Sequence, residues 1–86
     1  AGGGKVAISL PPEAEAPFAA LRAWRLGEAR EQEIPPYVIF HDAVLHDIAV
    51  ERPATLDALG RIKGVGASKL DRYGAAVLQV LAGSGG

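Results

Sequence analysis

The chain has 86 residues, no cysteine and a formal net charge of -1. This length supports one hydrophobic core and is too short for two domains, and the lack of cysteine excludes disulfides, a thiol nucleophile and a thiolate metal site. No apolar run approaches the ~20 residues that cross a bilayer, so we expect a soluble protein, and the lack of cysteine is ordinary for a cytoplasmic one.

The charge is unevenly distributed. Residues 1–51 hold four lysines and arginines against eight acidic residues, whereas residues 52–86 hold five against two. Sequence-independent affinity for nucleic acid comes from basic side chains that neutralise phosphates. The overall charge therefore argues against a general polyanion binder, while the second half of the chain has a local basic excess.

Both ends are rich in glycine, a composition typical of flexible linkers. We predict that residues 1–13 are a linker or an extended arm, since Val6, Ile8 and Leu10 alternate before two prolines. Residues 83–86 are predicted to be a glycine-rich tail, which leaves residues 14–82 as the folded domain. Such ends are consistent with two origins: native linkers of a longer protein, or residues added during cloning.

The first predicted helix covers residues 14–33, which are rich in Ala, Leu, Arg and Glu. Phe18, Leu21 and Trp24 follow an approximately helical spacing there. Pro35-Pro36 must end this helix, because proline blocks helical continuation and restricts the residue before it.

The apolar run at residues 37–40 has no second strand to pair with, so we expect a short helical turn or an extended packing segment. A second helix is predicted from His41 or Asp42 to Glu51, with Asp42 as a candidate N-cap and Pro53 beyond its end.

A short third helix is predicted after Thr55, a favourable N-cap, and Gly60 is expected to close it in the left-handed conformation. The last helix is predicted over residues 67–81, where Leu70, Tyr73, Val77 and Leu81 form a continuous face. Gly74 inside that helix suggests a close crossing by another helix. The predicted helices account for most of the folded domain, so the predicted fold class is all-α.

The segment between the last two helices contains two glycines around one apolar residue, Gly64-Val65-Gly66. It resembles a helix-hairpin-helix turn, in which glycines permit positive φ and let backbone N–H groups approach a phosphate. The alternative is that the glycines only allow two helices to pack closely around Val65. The basic residues that surround the turn are Arg61, Lys63 and Lys69.

The order of features from Leu21 to Leu81 resembles the HRDC domain, the helicase and RNase D C-terminal module. The residues that carry the resemblance are 21–25 with Ala29, 34–45, 48–49 with Pro53, 62–66 with Lys69, and 73–74. The resemblance implies a compact bundle of about five short helices, attached to a RecQ-type ATP-dependent DNA helicase or to an RNase D exonuclease. It also implies that this chain is not itself an enzyme, and that ATP and Mg belong to the motor domain of the parent.

In that family the module contacts single-stranded or structured nucleic acid through the tyrosine of the Pro-Pro-Tyr segment and nearby basic residues. A tyrosine can stack on a base, but after two prolines it more commonly packs its ring in the core. For Arg25, a buried stem and an ion pair with a carboxylate such as Asp42 is the more common arrangement. With the turn included, the candidate nucleic-acid-binding residues are Tyr37, Arg22, Arg25, Arg61, Lys63, Gly64, Gly66, Lys69 and Arg72.

Three functions follow as expectations. The leading one is an accessory DNA-binding and regulatory domain of a RecQ-type helicase in DNA repair and recombination, which binds single-stranded or structured DNA weakly. The acidic end of the first helix, with Glu28, Glu31 and Glu33, instead favours docking onto the parent's catalytic core or another protein. The third is the RNA-binding C-terminal domain of an RNase D-type exonuclease.

Other chemistry has little support. His41 and His46 lie five residues apart on a predicted helix and point to different faces, which argues against a metal site. The acidic residues have no catalytic partner at motif spacing. We therefore expect no catalytic residue, no metal and no cofactor in this domain.

Overall fold

The computed structural model describes residues 10–84, and this part of the chain contains five α-helices and no strand. They are α1 (Pro12–Gln32), α2 (Pro36–Ile39), α3 (Asp42–Glu51), α4 (Leu56–Gly60) and α5 (Ala67–Ser84). The all-α prediction and the expected number of helices are confirmed. Val6 and Ile8 of the predicted arm lie outside the described residues, as do the last two glycines. None of these helices is long and apolar enough to cross a membrane.

Helix α1 begins two residues earlier than predicted. Pro12 stands at the start of the helix, where its missing N–H costs no hydrogen bond, and Glu13 and Glu15 in the first turn favour the helix dipole. Residues 12 and 13 therefore belong to the helix and not to a linker. Ala14, one residue further, is buried in the core.

The apolar run after the double proline forms the short helix α2. Of the two predicted alternatives, a helical turn or an extended segment, the helical turn is therefore confirmed. Helix α3 starts at Asp42, but the N-cap residue is His41 and no side chain caps the helix. The expectation that Asp42 caps α3 is wrong, because its carboxylate pairs with Arg25 of α1. Arg52 ends α3 in the left-handed conformation.

Thr55 caps α4 as predicted, with its hydroxyl oxygen accepting from the Ala58 N–H at 3.1 Å. The expectation for Gly60 is wrong, since Gly60 is the last helical residue of α4 and the left-handed glycine of the described chain is Gly64. A Cβ on Gly60 would lie 2.9 Å from Leu70 Cδ2, so close packing against α5 accounts for this glycine.

Helix α5 continues three residues past the predicted end at Leu81, to Ser84. Gly83 and Ser84, which were assigned to the tail, are therefore helical. Helix ends are the least well determined part of any sequence pattern, because a helix can continue for a turn without apolar contacts. The predicted close crossing at Gly74 is present, since a Cβ there would lie 2.7 Å from Leu56 Cδ2 on α4.

The core lies where α1 packs against α3 and α5, with α4 covering α5. Three aromatic rings meet beside the middle of α1: Trp24 lies 5.7 Å from Tyr73 and 6.3 Å from Phe40 between ring centroids. The Gln32 amide at the end of α1 donates to the Tyr73 hydroxyl at 2.9 Å. The second half of α1 is therefore joined to α5 at Tyr73, and Phe40, which follows α2, completes the aromatic cluster.

Candidate nucleic-acid interface

Tyr37 projects from α2 into solvent, with 59% of its surface exposed. The alternative that Tyr37 is a core residue is wrong, because α2 turns Ile39 and Phe40 inward instead. The ring of His41 lies nearly parallel to that of Tyr37, at a centroid distance of 5.9 Å and an angle of 28°. Two adjacent aromatic rings are therefore presented at the surface.

Two cations from different helices hold the segment that carries Tyr37. Arg25 Nη1 on α1 donates to the carbonyl oxygen of Phe40 at 2.7 Å, and Lys69 Nζ on α5 donates to that of Val38 at 3.1 Å. Both carbonyls lie at the end of α2, where helical carbonyls lack partners within the helix and attract positive charge. The backbone beneath Tyr37 is thus fixed from both sides.

Arg25 is a buried structural residue, with 7% of its surface exposed. Its Nη2 lies 2.8 Å from the Asp42 carboxylate, so the ion pair that the sequence offered as an alternative is present. The geometry does not support Arg25 as a direct contact, because its guanidinium is already engaged and shielded from solvent. The pair also balances the charge of Asp42 at the surface.

The other basic candidates on α1 and α5 differ in their surroundings. Lys69 is half-buried and lies 5.6 Å from the centre of the Phe40 ring, so its ammonium has two intramolecular partners. Arg22 on α1 and Arg72 on α5 are exposed and lie beside the rings of Phe18 and Tyr73 at 5.9 and 5.7 Å. These two guanidinium groups remain accessible to a phosphate.

The Gly-Val-Gly turn connects α4 to α5, as predicted. Gly64 has φ 95°, and a Cβ built there would lie 2.5 Å from Val44 Cγ2 on α3. Gly66 has no such constraint, since nothing lies within 4 Å of a Cβ and its φ is not left-handed. The expectation of positive φ therefore holds for Gly64 and fails for Gly66. Val65 is buried, so the turn has the close helix packing around Val65 that was the alternative to a phosphate site.

Acidic side chains surround the basic residues next to this turn. Arg61 pairs with Asp57 at 3.1 Å, and a surface depression brings Arg61 and Lys63 together with Asp47 and Glu51 of α3. Three carboxylates thus accompany two cations. Such a balance of charges does not attract a polyanion. The geometry therefore favours the Tyr37 region over the hairpin turn as the candidate nucleic-acid interface.

Two adjoining depressions on the α1 and α2 side share Arg25 and Pro36. We call their combined surface the Tyr37 groove. One part is lined by Ala19, Arg22, Ala23 and Leu26 of α1, and the other by Tyr37, His41, Asp42 and Ala43. Sequence reasoning missed the apolar residues of the α1 part and the place of His41 beside Tyr37. A double proline that folds the chain back onto α1 is the signal that could have suggested both.

Metal-binding chemistry has no counterpart in residues 10–84, where no group of three or more His, Cys, Asp or Glu side chains is placed to hold an ion.

Known proteins resemble this chain over most of its length. The family model of the HRDC domain matches residues 14–81. The ATP-dependent DNA helicase UvrD2 of Mycobacterium tuberculosis is 48% identical over 63 residues, which are 73% of this chain and 9% of that protein. The ATP-dependent DNA helicase RecQ of Bacillus subtilis is 42% identical over 62 residues, 72% of this chain and 10% of the helicase.

Ribonuclease D of Gluconacetobacter diazotrophicus is 44% identical over 46 residues, 54% of this chain and 12% of the ribonuclease. The chain thus spans about a tenth of the length of the curated relatives that it matches. No solved structure matches the chain significantly.

Proposed function

The chain belongs to the HRDC domain family, and from that premise we propose that it is an accessory nucleic-acid-binding domain of an ATP-dependent DNA helicase. In this role it contacts single-stranded or structured DNA and tunes which substrate the parent engages during repair and recombination. The motor of the parent supplies ATP and Mg binding.

The observation that carries the proposal is the exposed ring of Tyr37 on a backbone held by Arg25 and Lys69. An exposed aromatic ring stacks on a base of any sequence for about 1 to 3 kcal/mol. Rigid attachment matters because little side-chain and backbone freedom is then lost on binding. Arg22 adds charge in the depression that adjoins this ring, and within residues 10–84 its guanidinium has no ion pair with a carboxylate. Arg72 is a second exposed cation, on α5 beside Tyr73.

The DNA helicases among its relatives match more of this chain than the ribonuclease does. This supports a helicase parent over an RNase D parent. UvrD2 and RecQ match similar shares of this chain, so the proposed parent is a helicase of either the UvrD2 or the RecQ type. An RNA-binding role in an RNase D-type protein is the alternative with less support.

A protein-docking role is favoured by one observation of its own. Leu26 of α1 and Val38 of α2 are exposed apolar residues, at 44% and 45%. Such exposed apolar side chains can dock onto the parent's catalytic core or another protein, and the carboxylates beside the hairpin turn oppose binding of nucleic acid at that separate place. This candidate predicts no affinity for oligonucleotides.

The test is a ¹⁵N amide titration of this chain with a short oligo(dT) at low salt, repeated with the matching oligo(U). We expect a dissociation constant of about 10⁻⁴ to 10⁻⁵ M. Neutralising about three phosphates gives a slope of log K against log salt near -2 for a single strand. Shifts around Tyr37 that fade with added salt support the proposal.

An unchanged spectrum at millimolar oligonucleotide would exclude the DNA-binding role and favour docking. Tighter binding of oligo(U) than of oligo(dT) would favour the RNase D alternative. The variant Tyr37→Ala serves as the internal control, because it removes the ring without touching the core.

A further inference from the structure

The proposed function does not specify which path a DNA strand takes over the surface beside Tyr37. The Tyr37 groove leads from His41 and Tyr37 on one side of Pro36 to Arg22 on the other. Resting on the proposed function, we propose that a single DNA strand lies along this groove from His41 to Arg22, with His41 as a contact residue beside Tyr37.

The ring pair is the first argument. The imidazole of His41 is exposed and lies nearly parallel to the Tyr37 ring, at 5.9 Å and 28°. Aromatic platforms bind single strands by stacking successive bases, and imidazole is among the rings that stack on bases. A pair of rings accommodates more of a strand than Tyr37 alone, and His41 adds ring nitrogens that can bond to a base or phosphate.

The chemistry of the α1 part is the second argument. Its lining consists of small and apolar side chains, Ala19, Ala23 and Leu26, with Arg22 as an exposed cation. Bases stack on apolar surface while the sugar-phosphate backbone requires nearby positive charge. Arg22 also lies beside the Phe18 ring, which leaves its guanidinium at the surface.

Charge complementarity is the third argument. The carboxylate that lines the groove belongs to Asp42, and Arg25 neutralises it at 2.8 Å. With Arg22 the lining therefore carries a net positive charge. The depression next to the hairpin turn instead combines Asp47 and Glu51 with its cations. A strand thus follows α1 and α2 and leaves the Gly-Val-Gly turn uncovered.

Two variants with the same change of charge test this path. Ala23→Glu places a carboxylate in the groove, and Ala82→Glu places one at an exposed position of α5, in a depression that shares no residue with the groove. We expect Ala23→Glu to weaken oligo(dT) binding by about fivefold or more, because a like charge then faces the backbone. Ala82→Glu is expected to change affinity by less than about twofold.

His41→Ala tests the ring pair, with His41→Phe as the variant that keeps an aromatic ring. We expect the alanine variant to bind about fivefold or more weakly and the phenylalanine variant to regain most of that loss. In the wild-type titration, amide shifts should extend over Ala19, Ala23 and Leu26. Thermal unfolding of each variant verifies that the domain remains folded.

Equal affinity of the two glutamate variants would overturn the proposed path, as would wild-type shifts centred on residues 63–66. An unchanged affinity of His41→Ala would remove His41 as a contact. In each of these cases oligonucleotide binding persists in the wild type, so the proposed function survives. Absence of any wild-type binding would instead reject the function and the path together.

Discussion

The guanidinium of Arg25 and the carboxylate of Asp42 form an ion pair at 2.8 Å in which one partner is inside the protein and the other is at its surface. The side chain of Arg25 is 9% exposed, and that of Asp42 is 62% exposed. The same guanidinium donates to the Phe40 carbonyl at 2.7 Å. A residue of the first helix thereby fixes both the end of α2 and the start of α3.

Because of this asymmetry, the two partners should differ in their contribution to stability. Arg25→Met leaves the Phe40 carbonyl without its donor, and we expect the free energy of unfolding to fall by about 2 kcal/mol. Asp42→Asn should cost less than about 1 kcal/mol, because the carboxylate faces water. Urea unfolding of both variants gives the comparison, and equal losses would show that the ion pair itself is the dominant interaction.

The hairpin turn should depend on Gly64 and not on Gly66. Gly64→Ala places a Cβ at positive φ and close to Val44, so we expect a loss of about 1 to 3 kcal/mol in the free energy of unfolding. Gly66→Ala has open space around it but replaces a favourable residue at the N-cap of α5, so its unfolding free energy should stay within about 1 kcal/mol of the wild type. Thermal unfolding measures both, and a reversed order would contradict the turn geometry.

The cap of α4 offers a test of local stability. Thr55→Ala removes the acceptor for the Ala58 N–H, and we expect a loss of about 1 kcal/mol in unfolding free energy. Thr55→Ser keeps the hydroxyl and should retain most of that stability. Chemical denaturation distinguishes the two variants, and equal stability of Ala and Ser at this position would mean that the hydroxyl contributes nothing.

Tyr37 should matter for binding and not for folding. Tyr37→Ala removes an exposed ring, so we expect its unfolding free energy to stay within about 0.5 kcal/mol of the wild type. Oligo(dT) affinity should drop by about 1 to 3 kcal/mol, whereas Tyr37→Phe should keep most of it because the stacking face remains. Calorimetry and NMR titration provide the two readouts, and a large loss of stability would assign Tyr37 a structural role.

Substitutions of Lys69 and Lys63 should differ in their effects on stability and on DNA affinity. Lys69→Met removes the donor to the Val38 carbonyl, and we expect a loss of about 1 kcal/mol in stability. Lys63→Met should be close to neutral for stability, because this exposed ammonium forms no hydrogen bond or ion pair with any of residues 10–84. It should also change DNA affinity little, since carboxylates lie beside it. A marked loss of affinity in Lys63→Met would restore the hairpin turn as a phosphate site.

The sequence by itself determined the class of fold and the order of its helices. Pro35-Pro36 had to end α1, Thr55 had to cap α4, and the spacing of Tyr73, Val77 and Leu81 required one buried face on α5. These features are local, because they depend on backbone chemistry and on the helical period. The order of motifs also identified the family that the comparison later matched.

Only the tertiary structure decided which candidate side chains are available to a ligand. Arg25, Lys63 and Lys69 are all basic in sequence, yet Arg25 is buried and paired with the exposed Asp42, Lys63 lies among carboxylates, and Lys69 holds the end of α2. Whether a charge is free depends on which groups distant in sequence surround it, and folding brings those groups together. For the same reason the position of His41 against Tyr37, and of both beside α1, became visible only in three dimensions.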